Sequence, residues 1–197
     1  MGNKPVVVGI SGASGSMMAS ATIDCMLSNG IPVAATASSA ARMVWKDEMD
    51  ESFGESLERW DDSGIFSYYS VGDLAAPISS GTFVTRGMVV VPCSMGTVAA
   101  IDQGLADNLI RRVADVCIKE KRRLVLVPRE TPLNAIHLEN LTSLARLGVT
   151  ILPPHPAFYL NPSSINDVVG FVVQRILLAL ELIDELPGVF TYRGHSS

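Results

Sequence analysis

Apolar and polar positions alternate in blocks along this chain, and the blocks have two different periods. Unbroken apolar runs at 5–10, 32–37, 88–92, 123–128 and 149–152 have the length and β-branched content of strands buried on both faces, with a further short strand near 66–71. Between them, apolar residues recur at helical spacing over 16–29, 39–49, 106–121, 133–147 and 163–184. The last stretch is the most regular: Val168, Val169, Val172, Val173, Ile176, Leu177, Leu180 and Ile183 return every three or four residues, with Ser163 placed to cap them. Asn29-Gly30 and Gly148 close two of these helices, Pro153-Pro154 stops the strand before the last helix, and Ser79-Ser80-Gly81 is a polar loop. Residues 50–64 are polar with interspersed charges and read as irregular chain. Such alternation predicts an α/β fold, a doubly wound and mostly parallel sheet with helices on both faces.

The chain has 197 residues, enough for one domain with a sizeable core. That domain is expected over 1–187, and the polar tail 188–197, which carries Phe190 and Tyr192, either hangs free or docks on a neighbouring subunit. A content of 48% hydrophobic but only 6% aromatic residues suits a sheet covered on both faces and subunits that bury surface against one another. The net charge of -5 argues against a nucleic-acid binder. Arg111, Arg112, Lys119, Lys121, Arg122, Arg123 and Arg129 nevertheless concentrate nearly half of the 15 Lys and Arg in a short stretch, as either a solvated helix face or a local anion pocket. Cys25, Cys93 and Cys117 have no metal-ligand spacing and leave one cysteine unpaired, which suits the cytoplasm. The sequence shows neither a signal peptide nor a run of 18 apolar residues, so no membrane span is expected.

Chemistry gathers at three strand ends. Val6 to Ile10 runs into Ser11-Gly12-Ala13-Ser14-Gly15, Met88 to Pro92 into Cys93-Ser94-Met95-Gly96-Thr97, and Leu124 to Pro128 into Arg129-Glu130-Thr131-Pro132. Carboxyl ends of strands are where open α/β sheets bind ligands. Gly9, Gly12 and Gly15 would let the backbone approach a phosphate, with the N–H groups of the following helix as donors. The second strand ends Ala35-Thr36-Ala37-Ser38, without the acidic residue a dinucleotide site places there, which favours a mononucleotide such as FMN. His137 and His155 form no Ser-His-acid pattern and read as capping or core residues. Cys93 reads as a buried small residue rather than a nucleophile. Met17, Met18, Met43, Met49 and Met95 would line an apolar pocket or simply fill the core.

The segments GISGASG, SSAAR with Glu48 downstream, PISSGTF, GMVVVPCSMGT, LADNLIRRVADVCIKEKRRLVLVPRETPL, HLENL and LPPHPAFY resemble the UbiX-type flavin prenyltransferases, in order, over roughly residues 5–183. The resemblance implies a flavodoxin-like (Rossmann-like) fold and transfer of a dimethylallyl group from dimethylallyl phosphate to N5 and C6 of reduced FMN. It also implies metal-free chemistry, a dodecameric homo-oligomer with sites at subunit interfaces, and a UbiD-type decarboxylase as recipient of the prenylated FMN. By the same resemblance the flavin contacts fall on Gly12, Ala13, Ser14, Ser38, Ser94, Met95, Gly96, Thr97 and Arg129. The phosphate-binding set falls on Arg112, Lys119, Arg129, Tyr159 and Arg175, and the catalytic positions on Ser14, Glu48 and Glu130. One departure lies near the C-terminus. Many members have a Trp after a Leu-Pro pair, whereas here Leu186-Pro187 is followed by Gly188-Val189-Phe190-Thr191-Tyr192, leaving Phe190 or Tyr192 to supply the aromatic wall.

These residue types suit the implied chemistry. Breaking an allylic C–O bond builds charge on the leaving phosphate, which preorganised Arg and Lys stabilise. Arg112 and Lys119 are seven residues apart, two helical turns, and so share a face. Glu130, beside Arg129, is placed to move a proton, with burial tuning its acidity. Ser14 would relay a proton near N5, and Glu48 is a supporting carboxylate that either serves its own site or a neighbour's. Two other readings stand beside this one: an FMN-dependent decarboxylase of the cysteine-decarboxylase group, and a non-catalytic flavin carrier. The first lacks its His in the glycine region and its PxMN motif here; the second would not need a second set of phosphate-binding cations.

Overall fold

The computed structural model describes residues 4–192. Six strands form one all-parallel sheet: β1 (Val6–Ile10), β2 (Val33–Ala37), β3 (Phe66–Tyr68), β4 (Gly87–Cys93), β5 (Leu124–Pro128) and β6 (Thr150–Ile151), in the order β3-β2-β1-β4-β5-β6. Apart from the three-residue edge strand β3, this is the flavodoxin order, in which the chain reverses direction across the sheet between β1 and its neighbour β4. Among the described residues seven α-helices join or follow the strands: α1 (Ser16–Ser28), α2 (Ser39–Glu48), α3 (Phe53–Asp61), α4 (Met95–Asp102), α5 (Leu109–Lys119), α6 (Ala135–Arg146) and, after the last strand, α7 (Ile165–Ala179).

Alternation along the strands sorts the core into two layers. Val6, Val8, Ile10, Val89, Val91, Val125 and Val127 pack beneath α1, α2, α3 and α7, while Val7, Met88, Val90, Leu124 and Leu126 pack beneath α4, α5 and α6. Because both faces are covered, β1, β2, β4 and β5 are buried from end to end, and their sequences read as continuous apolar runs. After β6 the chain returns to the first layer, where α7 lies along α1 and buries Val169, Val172, Val173, Ile176 and Leu177.

Several expectations change in detail. Residues 50–64 are not irregular. Ser52 and Glu55 form a reciprocal capping box that starts α3, and Phe53 and Trp60 are buried. Trp45 meets both rings edge-on, at 5.2 and 5.9 Å. The charges that made this stretch look like loop instead tie it down: Arg59 bonds Glu51 and Asp24, and Trp60 Nε1 donates to Asp24 at 2.7 Å. A further helix, α4, follows Ser94 and buries most of its residues. The last helix is capped by Ser164 rather than Ser163 and ends at Ala179, although the apolar pattern runs on. There Glu181 takes a left-handed φ of 51°, the Leu182 N–H donates back to Leu177 O, and Leu182 and Ile183 still pack on the core.

Candidate active site at the carboxyl ends of β1, β4 and β5

Ser11 stitches the two strands at the reversal point. Its hydroxyl donates to Pro92 O at 3.1 Å and accepts from the Ser94 N–H at 2.8 Å. The third strand end joins through Arg129, whose N–H donates to Cys93 O at 3.2 Å and whose Nε donates to Ser14 O at 3.3 Å. From β2, Ser38 donates its N–H to Ile10 O and caps α2 by accepting from the Ala41 N–H at 3.0 Å. Gly12 is required by proximity, since a Cβ there would lie 2.4 Å from Ala40 Cβ at the start of α2. The strand pairing therefore brings Gly12, Ala13, Ser14, Ser38, Ser94 and Arg129 to one end of the sheet.

The N-terminus of α1 is already occupied. Oε2 of Glu48, at the last turn of α2, accepts from the Gly15 and Ser16 N–H groups at 2.8 Å each. Desolvation works against ionising this carboxyl. Hydrogen bonds from the Ser14 hydroxyl, the Ser16 and Gly15 N–H groups and the Ser16 hydroxyl outweigh it and hold Glu48 below its ordinary pKa. From sequence, a phosphate is expected at this helix start; here a side chain of the same protein, Glu48, bonds the Gly15 and Ser16 N–H groups. Glu48 thus bonds the loop of its own chain.

Open donors lie instead at α4. Ser94 caps this helix by accepting from the Thr97 N–H at 3.3 Å, but the Met95 and Gly96 N–H groups have no partner among the described residues. A Cβ added at Gly96 would meet nothing within 4 Å. This is a backbone edge open to a flat polar ligand, and it fits a flavin held by Ser94 to Thr97.

Between α1 and α7 lies a cavity of about 380 Å³. Ser14, Gly15, Glu48 and Arg129 form its polar edge, and Met17, Met18, Pro154, Ile165, Val168 and Val169 its apolar wall. Of the methionines singled out by sequence, Met17 and Met18 line it. Met43 is exposed, Met95 is buried under α4, and Met49 packs on the core. The linings from Pro154 and the first turns of α7 were not foreseen as site residues; the signal was the apolar stripe of α7, which does not say which end of it meets a ligand.

The expected phosphate set is not assembled within one chain. Arg112 Nε donates to Ser79 O at 3.1 Å and its Nη1 pairs with Asp115 at 2.8 Å; Lys119 pairs with Glu120 over Gly81. Both therefore lie on the 79–81 loop, as their spacing implied, but on the α5 layer. Arg175 is on α7, in the opposite layer, exposed and without a hydrogen bond or ion pair among the described residues. Tyr159 is 54% exposed and meets Tyr192 edge-on at 5.4 Å. Glu130 is exposed at the end of β5 and accepts from the Thr131 N–H, with no bond to Arg129. Cys93 is fully buried, which pushes its thiol up to about 12 and removes it as a nucleophile. His137 belongs to the capping box of α6.

A family model described as Flavoprotein matches residues 1–177. Flavin prenyltransferase UbiX of Halalkalibacterium halodurans is 43% identical over 190 residues, covering 91% of this chain and 89% of its own. The crystal structure of AnUbiX (PadA1) in complex with FMN and dimethylallyl pyrophosphate has a TM-score of 0.89 at 39% identity, covering 98% of this chain and 99% of that one. The dodecameric FMN-dependent UbiX-like decarboxylase from Escherichia coli O157:H7 has the same TM-score at 40% identity, covering 96% and 100%. The chain belongs to the flavoprotein family and, within it, to the UbiX-type flavin prenyltransferases. No helix among the described residues is long and apolar enough to cross a membrane.

Proposed function

We propose that this protein joins a dimethylallyl group from dimethylallyl phosphate to N5 and C6 of reduced FMN, releasing phosphate, and that the prenylated FMN goes to a UbiD-type decarboxylase. The observation that carries this reading is the 380 Å³ cavity, in which the Ser14, Glu48 and Arg129 edge faces an apolar wall of Met17, Met18, Ile165 and Val168. An apolar chamber beside a fixed cation suits an allylic chain with a phosphate head.

Reduced FMN supplies the nucleophilic ring positions when bound. The chain's own residues then have separable tasks. The Met95 and Gly96 N–H groups hold the flavin's polar edge. Ser14, its hydroxyl bonded to an ionised Glu48, is set to accept a proton and pass it on. Arg129, anchored on Ser14 O, presents charge to the leaving phosphate. Glu130, one residue further and exposed, is the carboxylate placed to take the proton released on ring closure. The apolar wall excludes water from the allylic carbon.

The remaining cations support a site shared between subunits. Arg112 and Lys119 stand on one layer, Arg175 on the other, so a phosphate can meet all of them only where two copies abut. A homo-oligomer would supply such a junction, and the E. coli neighbour is dodecameric. The test is anaerobic incubation of the protein with reduced FMN and dimethylallyl mono- or diphosphate, followed by mass spectrometry of the flavin. A flavin heavier by one C5 unit is expected; unchanged flavin with both donors refutes the reading.

A further inference from the structure

A second cavity, of about 320 Å³, lies on the other side of α7 from the first. Ala157, Leu160, Phe171, Val189 and Phe190 give it an apolar side, and Asn161 adds a polar edge. Its charged lining residue, Asp167, is bonded to the Ser163 and Ser164 N–H groups as part of the α7 cap. Phe190, from the tail, closes the outer side. It packs tilted against Phe171, at 6.1 Å between ring centroids, and sits over Gly170, where an added Cβ would come within 3.4 Å of it.

Val168 lines both cavities. Helical geometry explains why. At about 100° per residue, Val168 stands about 60° from Ile165 on one side and about 60° from Phe171 on the other. Ile165 and Val169 face the first cavity; Phe171 and Asp167 face the second. Arg175, seven residues on, continues the Val168 stripe along α7.

We propose that Val168 sets the length of allylic chain this site accepts, by walling off a second apolar chamber large enough for another isoprene unit. The inference rests on the prenyl-transfer reading for its substrate class. A dimethylallyl phosphate ends within the first cavity. A geranyl phosphate, with the same head and five more carbons, runs into the valine methyls. Removing them joins the two chambers, and the added carbons leave water for the space bounded by Leu160, Phe171 and Phe190. The chemistry at the allylic carbon is the same for both chains, so the wall alone decides between them.

The test compares geranyl and dimethylallyl monophosphate in wild type, Val168→Ala and Val168→Ala/Phe190→Trp. Dissociation constants are read by calorimetry on protein loaded with oxidised FMN, where no transfer occurs, and turnover is read separately from the mass of the flavin. Alanine is the stronger helix former, so α7 is kept; Val168→Ser opens the wall by an independent route if the alanine variant folds poorly. Burial of the added carbons predicts that the geranyl-to-dimethylallyl affinity ratio rises about tenfold or more in Val168→Ala. The larger indole that Phe190→Trp brings into the chamber reverses that gain in the double variant. An unchanged ratio overturns the proposal, as does a gain that Phe190→Trp leaves intact. Absence of any prenylated flavin in wild type would count against the prenyl-transfer reading, while the binding ratio still decides the role of Val168.

Discussion

Glu48→Gln separates the charge of Glu48 from its shape. The amide oxygen of Gln can still accept from the Gly15 and Ser16 N–H groups, so what is lost is the negative charge over two bonds of 2.8 Å at a helix N-terminus. Charge roughly doubles the strength of such bonds, whose net neutral value is about 1 kcal/mol each, and the helix dipole adds about 0.3–1 kcal/mol. Glu48 is exposed on its outer side, and solvent screening cuts this sum to about 1–2 kcal/mol at pH 7. For a domain of this size that is a fall of roughly 2–8 °C in Tm. The pH dependence follows from the direction of the shift. Glu48 is held below its ordinary value of 4.5, so its contribution is complete above that value and is lost as pH falls through the lower folded value. Thermal melts of FMN-free wild type and Glu48→Gln, at one protein concentration, should show the full gap at pH 7 and a narrowing gap below about pH 4.5. A gap that stays constant into acid, or is absent at pH 7, would refute the argument. The same variant checks the glycine-loop assignment: were α1 a phosphate seat, removing the carboxylate would tighten FMN, whereas the observed cap predicts equal or weaker binding.

Glu130→Gln should bind FMN as wild type does but lose turnover by about 10²–10⁴-fold, the range for a positioned acid or base; full turnover in a flavin mass assay would remove Glu130 from the chemistry. Lys119→Ala should raise KM for the allylic phosphate with FMN affinity within about twofold, since loss of one charge-assisted phosphate contact is not felt by the flavin. Mixed oligomers of Lys119→Ala and Arg175→Ala chains should, at allylic phosphate well below the raised KM, turn over faster than either variant alone, and no such gain would contradict a site shared between copies. Gly12→Ala should cost about 1–3 kcal/mol, as overpacking does, because its Cβ would lie 2.4 Å from Ala40 Cβ; an unchanged Tm would mean that the loop yields freely.

The sheet was legible because its signal is local. Strands buried on both faces must be apolar throughout, and Val6 to Ile10, Met88 to Val91 and Leu124 to Val127 are. Helix α3 was hidden because most of its surface is wet, and its evidence lay in two small signs: the Ser52-to-Glu55 capping spacing and two aromatic residues, Phe53 and Trp60, seven apart. The site divides in the same way. Ser14, Ser38, Ser94 and Arg129 follow strand ends directly, so naming the strands placed them together. Glu48 lies 33 residues from Gly15, and no local pattern tells whether its carboxylate meets solvent, a neighbour or the α1 N-terminus. A loop of this composition suggests an anion from outside, whereas the carboxylate that bonds Gly15 and Ser16 here is a side chain of the same protein, at the cavity edge. The phosphate-binding cations show the converse. Arg112 and Lys119 share a helix face as their spacing implied, but that face and Arg175 lie on opposite sides of the sheet. Nothing in the chain's own folding needs these cations together, so if they act on one phosphate, the pressure holding them in place comes from the assembly.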